Sequence, residues 1–193
     1  MTGGAPPPPD AWAGGLTKEK QYEFLVDVYR LRVDDDYAWG GGWLHGLYDQ
    51  YGDATTILED FLIFCKMAAH QGVIPPGWDW HAFLSSLATG DLIYAFEKSD
   101  ASEKWGGENV FQAFLGGRSL RYTGETVYGL SCQEVAADEE EPPALADVRA
   151  LVEGRWQALV RGRGSAALFG DVGGVVAWRA LEAALPHIPG RGG

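Results

Sequence analysis

Apolar residues recur along this chain at helical intervals, and those intervals predict most of its elements. Tyr22, Leu25, Val26, Tyr29 and Val33 fall at i, i+3, i+4, i+7 and i+11, a single stripe on one helical face. Thr17 is placed to cap this helix, which the stripe carries to about Val33, with Glu19 and Glu23 near its positive end. Gly40, Gly41 and Gly42 then end regular structure. Trp43, Leu44, Leu47, Tyr48 and Tyr51 follow as an aromatic-rich irregular segment or a short helix.

A second helix starts at Asp53 or Thr55 and presents Ile57, Leu58, Phe61, Leu62, Phe64, Cys65, Ala68 and Ala69. So wide an apolar face belongs to a central, heavily buried helix. Gly72, then an apolar residue and Pro75, is the expected stop. A third helix covers Trp80–Thr89 behind Asp79, with Phe83, Leu84 and Leu87 inward and Gly90 as its stop. A short helix over 92–97 follows Asp91, and Asp100 with Glu103 has capping-box spacing. Residues 110–115 predict a helical turn. Residues 119–128 predict a helix that Gly124 weakens by about 1 kcal/mol.

Residues 133–143 are acidic and end in two prolines, which reads as a linker. Beyond them Leu145, Val148, Leu151, Val152, Trp156 and Leu159 predict one helix, and Val175, Val176, Trp178, Leu181 and Leu185 a second. Gly162 and Gly164 between them suggest a helical hairpin. No strand-like alternation runs beyond a few residues. The expected fold class is therefore all-α: a compact multi-helix domain with irregular Gly/aromatic loops and a C-terminal helical hairpin. The expected organisation is a Pro-rich disordered leader over 1–15, a helical domain over 16–130 and an acidic linker over 131–143. The hairpin extension over 144–186 and a flexible tail over 187–193 complete it.

Composition narrows the partners. The net charge is −12, with 9 Lys and Arg against 23 Asp and Glu in residues 1–143, and 6 Arg against 4 acids in residues 144–193. An acidic body repels phosphate backbones and anionic membrane surfaces, so no nucleic-acid or membrane partner is expected. The most apolar stretch, 61–69, is interrupted by Lys66 and is too short to span a bilayer. The first ten residues have neither a basic nor an apolar region of a secretion signal. The two cysteines, Cys65 and Cys132, are far apart and form no disulfide framework. These features lead to the expectation of an intracellular, cytoplasmic or nuclear, protein.

The densest chemistry lies over residues 29–42, where Asp34, Asp35 and Asp36 are flanked by Arg30, Arg32, Tyr37 and Trp39. Carboxylates on a chain turning out of a helix can converge on a divalent cation, and Asp34 with Asp36 matches a short Asp-x-Asp pattern. Against this stands a structural reading, in which Arg30, Arg32 or Arg121 forks onto the carboxylates and locks the first helix to the glycine loop. His45, His70, His81 and His187 show no metal-ligand spacing. Ser85, Ser99 and Ser131 lack a nucleophile-elbow context, and the glycine pairs fit no phosphate loop. No metal and no cofactor is expected. Trp39, Trp43, Tyr48, Trp78, Trp80 and Trp105 fall in loops or beside glycines rather than on helical stripes. They either plug gaps between short helices or form a partly exposed surface for a partner.

A collinear set of segments resembles the helical domain that accompanies MYND-type zinc fingers in many fungal proteins. It comprises Tyr29-Arg-Leu-Arg-Val-Asp-Asp-Asp-Tyr37, Gly46-Leu-Tyr48, a helix ending Gly72-Val-Ile-Pro-Pro-Gly-Trp78, and Asp91-Leu-Ile-Tyr-Ala-Phe-Glu-Lys-Ser-Asp100. Leu120-Arg121, Glu125 and Val127-Tyr-Gly129 close it. The set spans roughly residues 22–129. The finger itself needs many cysteines and a histidine, which this chain lacks, so zinc is not carried over. The resemblance implies a fungal intracellular protein with an accessory helical domain. Together these readings favour a non-enzymatic interaction or regulatory module with a protein partner, and a homodimer through the hairpin is one form of it. The alternative is a small enzyme acting on an apolar molecule with Asp34, Asp35 and Asp36, with or without Mg²⁺.

Overall fold

The structure, a computed structural model, describes residues 5–49, 53–97 and 101–185. Tyr51, Ser99, His187, Asp100 of the expected capping box and the tail over 187–193 lie outside them. Among the described residues there are ten α-helices, five 3-10 turns and no strand, so the fold is all-α as expected. No helix is long and apolar enough to cross a membrane.

The first helix, α1, runs Lys18–Trp39, with Thr17 Oγ accepting from the Lys20 amide. It continues six residues past the expected end at Val33, so all three aspartates lie within it rather than on a loop. Asp is a poor helix former, and negative charge is unfavourable near a helix C-terminus. Partners from other elements offset both costs, as described below. The single stripe also understates its burial: every residue over 24–33 is buried. The helix α2, Ala54–His70, starts at Asp53, whose side chain accepts from the Thr56 amide (2.9 Å). Its end folds back through Val73 N–H to Ala68 O (3.0 Å) around Gly72.

The remaining main-domain helices are α3 (Trp80–Thr89), α4 (Phe111–Phe114) and α5 (Leu120–Tyr128). The expected helix over 92–97 is a 3-10 turn, Ile93–Phe96. Asp79 caps α3 as the pattern predicted, and Ser119, expected as the first residue of the next helix, caps α5 instead. The two longest helices, α1 and α2, both pack against α5.

Three expected regions differ. The leader is ordered around Trp12, which donates to Val73 O (2.9 Å) and stacks on Phe24 (4.9 Å), while Arg118 clasps Trp12 O and Gly14 O. The linker contains a helix, α6 (Cys132–Ala136), closed by a Ser131–Glu134 capping box. The hairpin is four helices: α7 (Pro143–Val152), α8 (Trp156–Arg161), α9 (Ser165–Phe169) and α10 (Val175–Ala184).

The first break in the hairpin has a clear cause. The buried Glu59 carboxylate of α2 accepts from the amides of Gly154, Arg155 and Trp156 at 3.0, 2.9 and 2.7 Å. A carboxylate placed there caps a new helix rather than letting the old one continue. The second break, between α8 and α9, spans the expected turn at Gly162 and Gly164, and the third falls before α10 at Gly173 and Gly174, both at positive φ. These four helices share the main core. Trp178 meets Phe61 at 5.8 Å, Trp156 at 6.2 Å and Phe169 at 6.0 Å, and Lys66 pairs with Asp171. Trp156 and Trp178, the residues that a hairpin dimer would use, are fully buried within this chain. Both cysteines are free, and Cys65 is buried as expected.

Candidate functional site

The C-terminal half of α1 carries a charge network whose members reach different elements. Asp35 accepts from Arg121 of α5 through two bonds, Nε to Oδ2 at 2.8 Å and Nη2 to Oδ1 at 3.0 Å. Burial nonetheless holds the Asp35 carboxyl above its ordinary range, with Arg121 pulling the other way. Asp34 accepts from Tyr48 OH at 2.6 Å. Asp36 accepts from Arg32 Nε at 2.7 Å, one turn away on the same helix. Arg32 also donates to Leu130 O (2.5 Å), and its guanidinium lies 4.6 Å from the Tyr128 ring.

Arg30 does not join this group. It pairs with Asp27 (3.0 Å), whose second oxygen receives Trp105 Nε1 (2.7 Å) and Lys104 (3.0 Å). The three consecutive aspartates therefore face Tyr48, Arg121 and the Arg32–His45 side separately, and they do not converge.

His45, which no spacing in the sequence marks, is the centre of the site. Its Nδ1 lies 2.8 Å from Asp60 Oδ1 and its Nε2 lies 3.0 Å from Asp36 Oδ2. Tyr29 OH donates to the other Asp60 oxygen at 2.7 Å. Two carboxylates facing both ring nitrogens select the imidazolium, in which both N–H groups donate. Burial alone would lower the His45 pKa, but Asp60 and Asp36 outweigh it and raise it to about 9. Burial likewise pushes Asp60 up, while the His45 charge and the bonds from His45 and Tyr29 leave it below its ordinary value. The cluster ties α1, the loop after it and α2 into one knot.

Gly46 makes that knot closable. It adopts φ +55°, and a Cβ there would sit 2.6 Å from Asp60 Oδ2 and 2.7 Å from Tyr29 OH. Only glycine fits at that distance from the hydrogen bond it borders.

Beside the knot opens a cavity of about 390 Å³. Trp43, Leu44 and Ile63 give it apolar walls, and Asp60, Glu153 and Asp49 give it carboxylates. Trp43 folds back on the end of α1 through its amide to Gly40 O (3.3 Å) and stacks on His45 at 4.3 Å. The Arg149 guanidinium lies 4.2 Å from the same indole and pairs with Glu141 (2.9 Å). Burial pushes the Glu153 carboxyl up; Arg149 opposes this, and Asp60, Glu141 and Glu59 reinforce it. Outside the cavity, Trp39 is 67% exposed, Tyr37 is 50% exposed, and Tyr37 stacks on Tyr48 at 4.7 Å.

The six expected surface aromatics thus fall into two groups. Trp39, Trp43 and Tyr48 gather at the end of α1. Trp78 and Trp80 pack against each other (5.7 Å) and on Phe83, and Trp105 lies edge-on to Phe24 (5.1 Å). These last three are half-buried plugs. Among the described residues no three His, Cys, Asp or Glu side chains are grouped to hold a metal ion. No known protein family matches the chain, and no curated protein or solved structure is similar to it.

Proposed function

We propose that this protein is a non-enzymatic binding module that takes a protein partner at the C-terminal end of α1. The observation that carries the reading is the exposure of Trp39 and Tyr37 on the last turn of α1, the helix end onto which Trp43, a wall of the acid-lined cavity, folds back. Large aromatics in contact with solvent beside a half-apolar cavity are the anchors that interfaces favour. The carboxylates suit a cationic group, so the partner is one that inserts an arginine or lysine side chain. The long-range field of a −12 chain steers in the same direction.

Two features weigh against acid–base chemistry at this place. Both His45 nitrogens are spent on carboxylates, leaving no lone pair to accept a proton. Asp34, Asp35 and Asp36 each serve a different partner, so the enzyme reading lacks the converging carboxylates it needs.

The test is a titration of peptides that display one Arg or Lys between apolar residues, followed by tryptophan fluorescence. Trp39→Ala and Glu153→Gln, both at exposed positions, are expected to weaken binding by about tenfold each, a cost near 1.4 kcal/mol. Equal binding of Glu-for-Arg peptides, or no effect of either variant, overturns the reading.

A further inference from the structure

We propose that the groove bounded by α7, α8 and α9 docks an acidic amphipathic segment of a second protein partner, separately from the Trp39 face. The groove encloses about 320 Å³, and its floor is apolar: Leu151, Ala158, Leu159 and Leu168 line it, with Arg155 at its edge. Leu151, a member of the α7 apolar stripe, stays 41% exposed there.

Charge identifies the occupant. Residues 155–169 contain three arginines, Arg155, Arg161 and Arg163, and no Asp or Glu, in a chain whose net charge is −12. All three are exposed, and among the described residues none has a side-chain hydrogen bond or an ion-pair partner. Elsewhere the arginines are committed: Arg30, Arg32 and Arg121 to aspartates, Arg149 to Glu141 and Trp43, and Arg118 to backbone oxygens. Arg155 at the edge of an apolar floor, with Arg161 and Arg163 on the adjoining end of α8 and the turn after it, matches a segment that alternates leucine-like side chains with carboxylates. A nucleic-acid backbone fits less well, because the acidic body repels a long polyanion and the nearby Trp156 is buried, offering no base a ring to stack on. A second copy would bring a further −12 toward the first.

The test uses the full chain and a fluorescein-labelled helical peptide of alternating Leu and Glu, with a Leu and Lys peptide as its counterpart, read by anisotropy. The Glu peptide is expected to bind, with affinity falling as salt rises. Joint replacement Arg155→Gln, Arg161→Gln and Arg163→Gln is expected to weaken it by about tenfold or more. Leu151→Ser, at an exposed site, is expected to weaken it without changing the melting temperature. Trp39→Ala leaves it unchanged. Equal binding of the Lys peptide, or an arginine-independent affinity, overturns the proposal. So does concentration-dependent self-association that the arginine replacements abolish, since the occupant is then a second copy.

Discussion

His45 Nε2 donates to Asp36 Oδ2 at 3.0 Å, onto the oxygen that also receives Arg32 Nε at 2.7 Å. One buried carboxylate oxygen thus serves two cations, and the second Asp60 carboxylate is needed to balance the histidine. That makes the knot sensitive to pH in a definite direction. The folded His45 pKa is raised from 6.5 to about 9. The stabilisation it supplies is complete below about pH 6.5 and is lost as pH climbs through about 9, in all on the order of 3 kcal/mol. Urea midpoints of the native chain are expected to fall between pH 6.5 and 9, while those of His45→Gln stay flatter over the same interval. A native midpoint that is level across this window would show that His45 is neutral in the folded state.

Gly46 supports the same cluster through its missing side chain. An alanine there would place Cβ 2.6 Å from Asp60 Oδ2 at φ +55°, adding left-handed strain to a broken buried hydrogen bond. The expected cost of Gly46→Ala is about 2–4 kcal/mol. Gly42→Ala is the control: φ is +78° but nothing lies within 4 Å, so only strain of about 1–2 kcal/mol is expected. Matched losses in the two variants, measured by chemical denaturation, would remove the clash as the cause.

The caps and the apolar faces of this fold are legible in its sequence, because both are local. Thr17, Asp53 and Asp79 each accept from the amide three residues on, as their positions predict. Arg32 and Arg121 are in view as partners of the aspartates, but the His45–Asp60 knot, the full length of α1 and the Glu59 cap are not, because each depends on charges brought together from separate elements. Asp35 meets Arg121 across 86 positions, and Glu59 meets Trp156 across 97. A local rule ends α1 before three aspartates and joins α7 to α8, and in both places a distant partner reverses it. The one available signal was a charged residue inside an apolar helical face: Asp27 in α1, and Glu59 with Asp60 in α2. His45 offered no spacing signal at all.

The buried Glu59 is the most directly testable of these. Its carboxylate accepts from three amides at the start of α8, so Glu59→Ala takes the acceptor from the buried Trp156 amide and from Gly154, while Arg155 N–H keeps Val152 O (3.1 Å). Bonds to a charged acceptor are worth about 1.5–3 kcal/mol, and a loss of about 3 kcal/mol is expected. Hydrogen exchange is expected to quicken at Gly154, Arg155 and Trp156 before it does in α1. Uniform acceleration through α1 would mean that Glu59 acts on global stability alone and not as the cap of α8.

Gly124 gives the opposite sign. It lies inside α5 where that helix crosses α1, and a Cβ added there would rest 3.5 Å from Arg32 Cβ and 3.8 Å from Val28 Cγ1. Both are ordinary contact distances, so the glycine is not required by space. Gly124→Ala removes backbone freedom from the unfolded chain and improves helix propensity, an expected gain of about 0.5–1 kcal/mol. The Arg32 bonds to Asp36 and Leu130 O are expected to survive, since the new methyl meets the arginine stem and not its guanidinium. A lower melting temperature would mean that α1 and α5 are packed too tightly to yield even a methyl group.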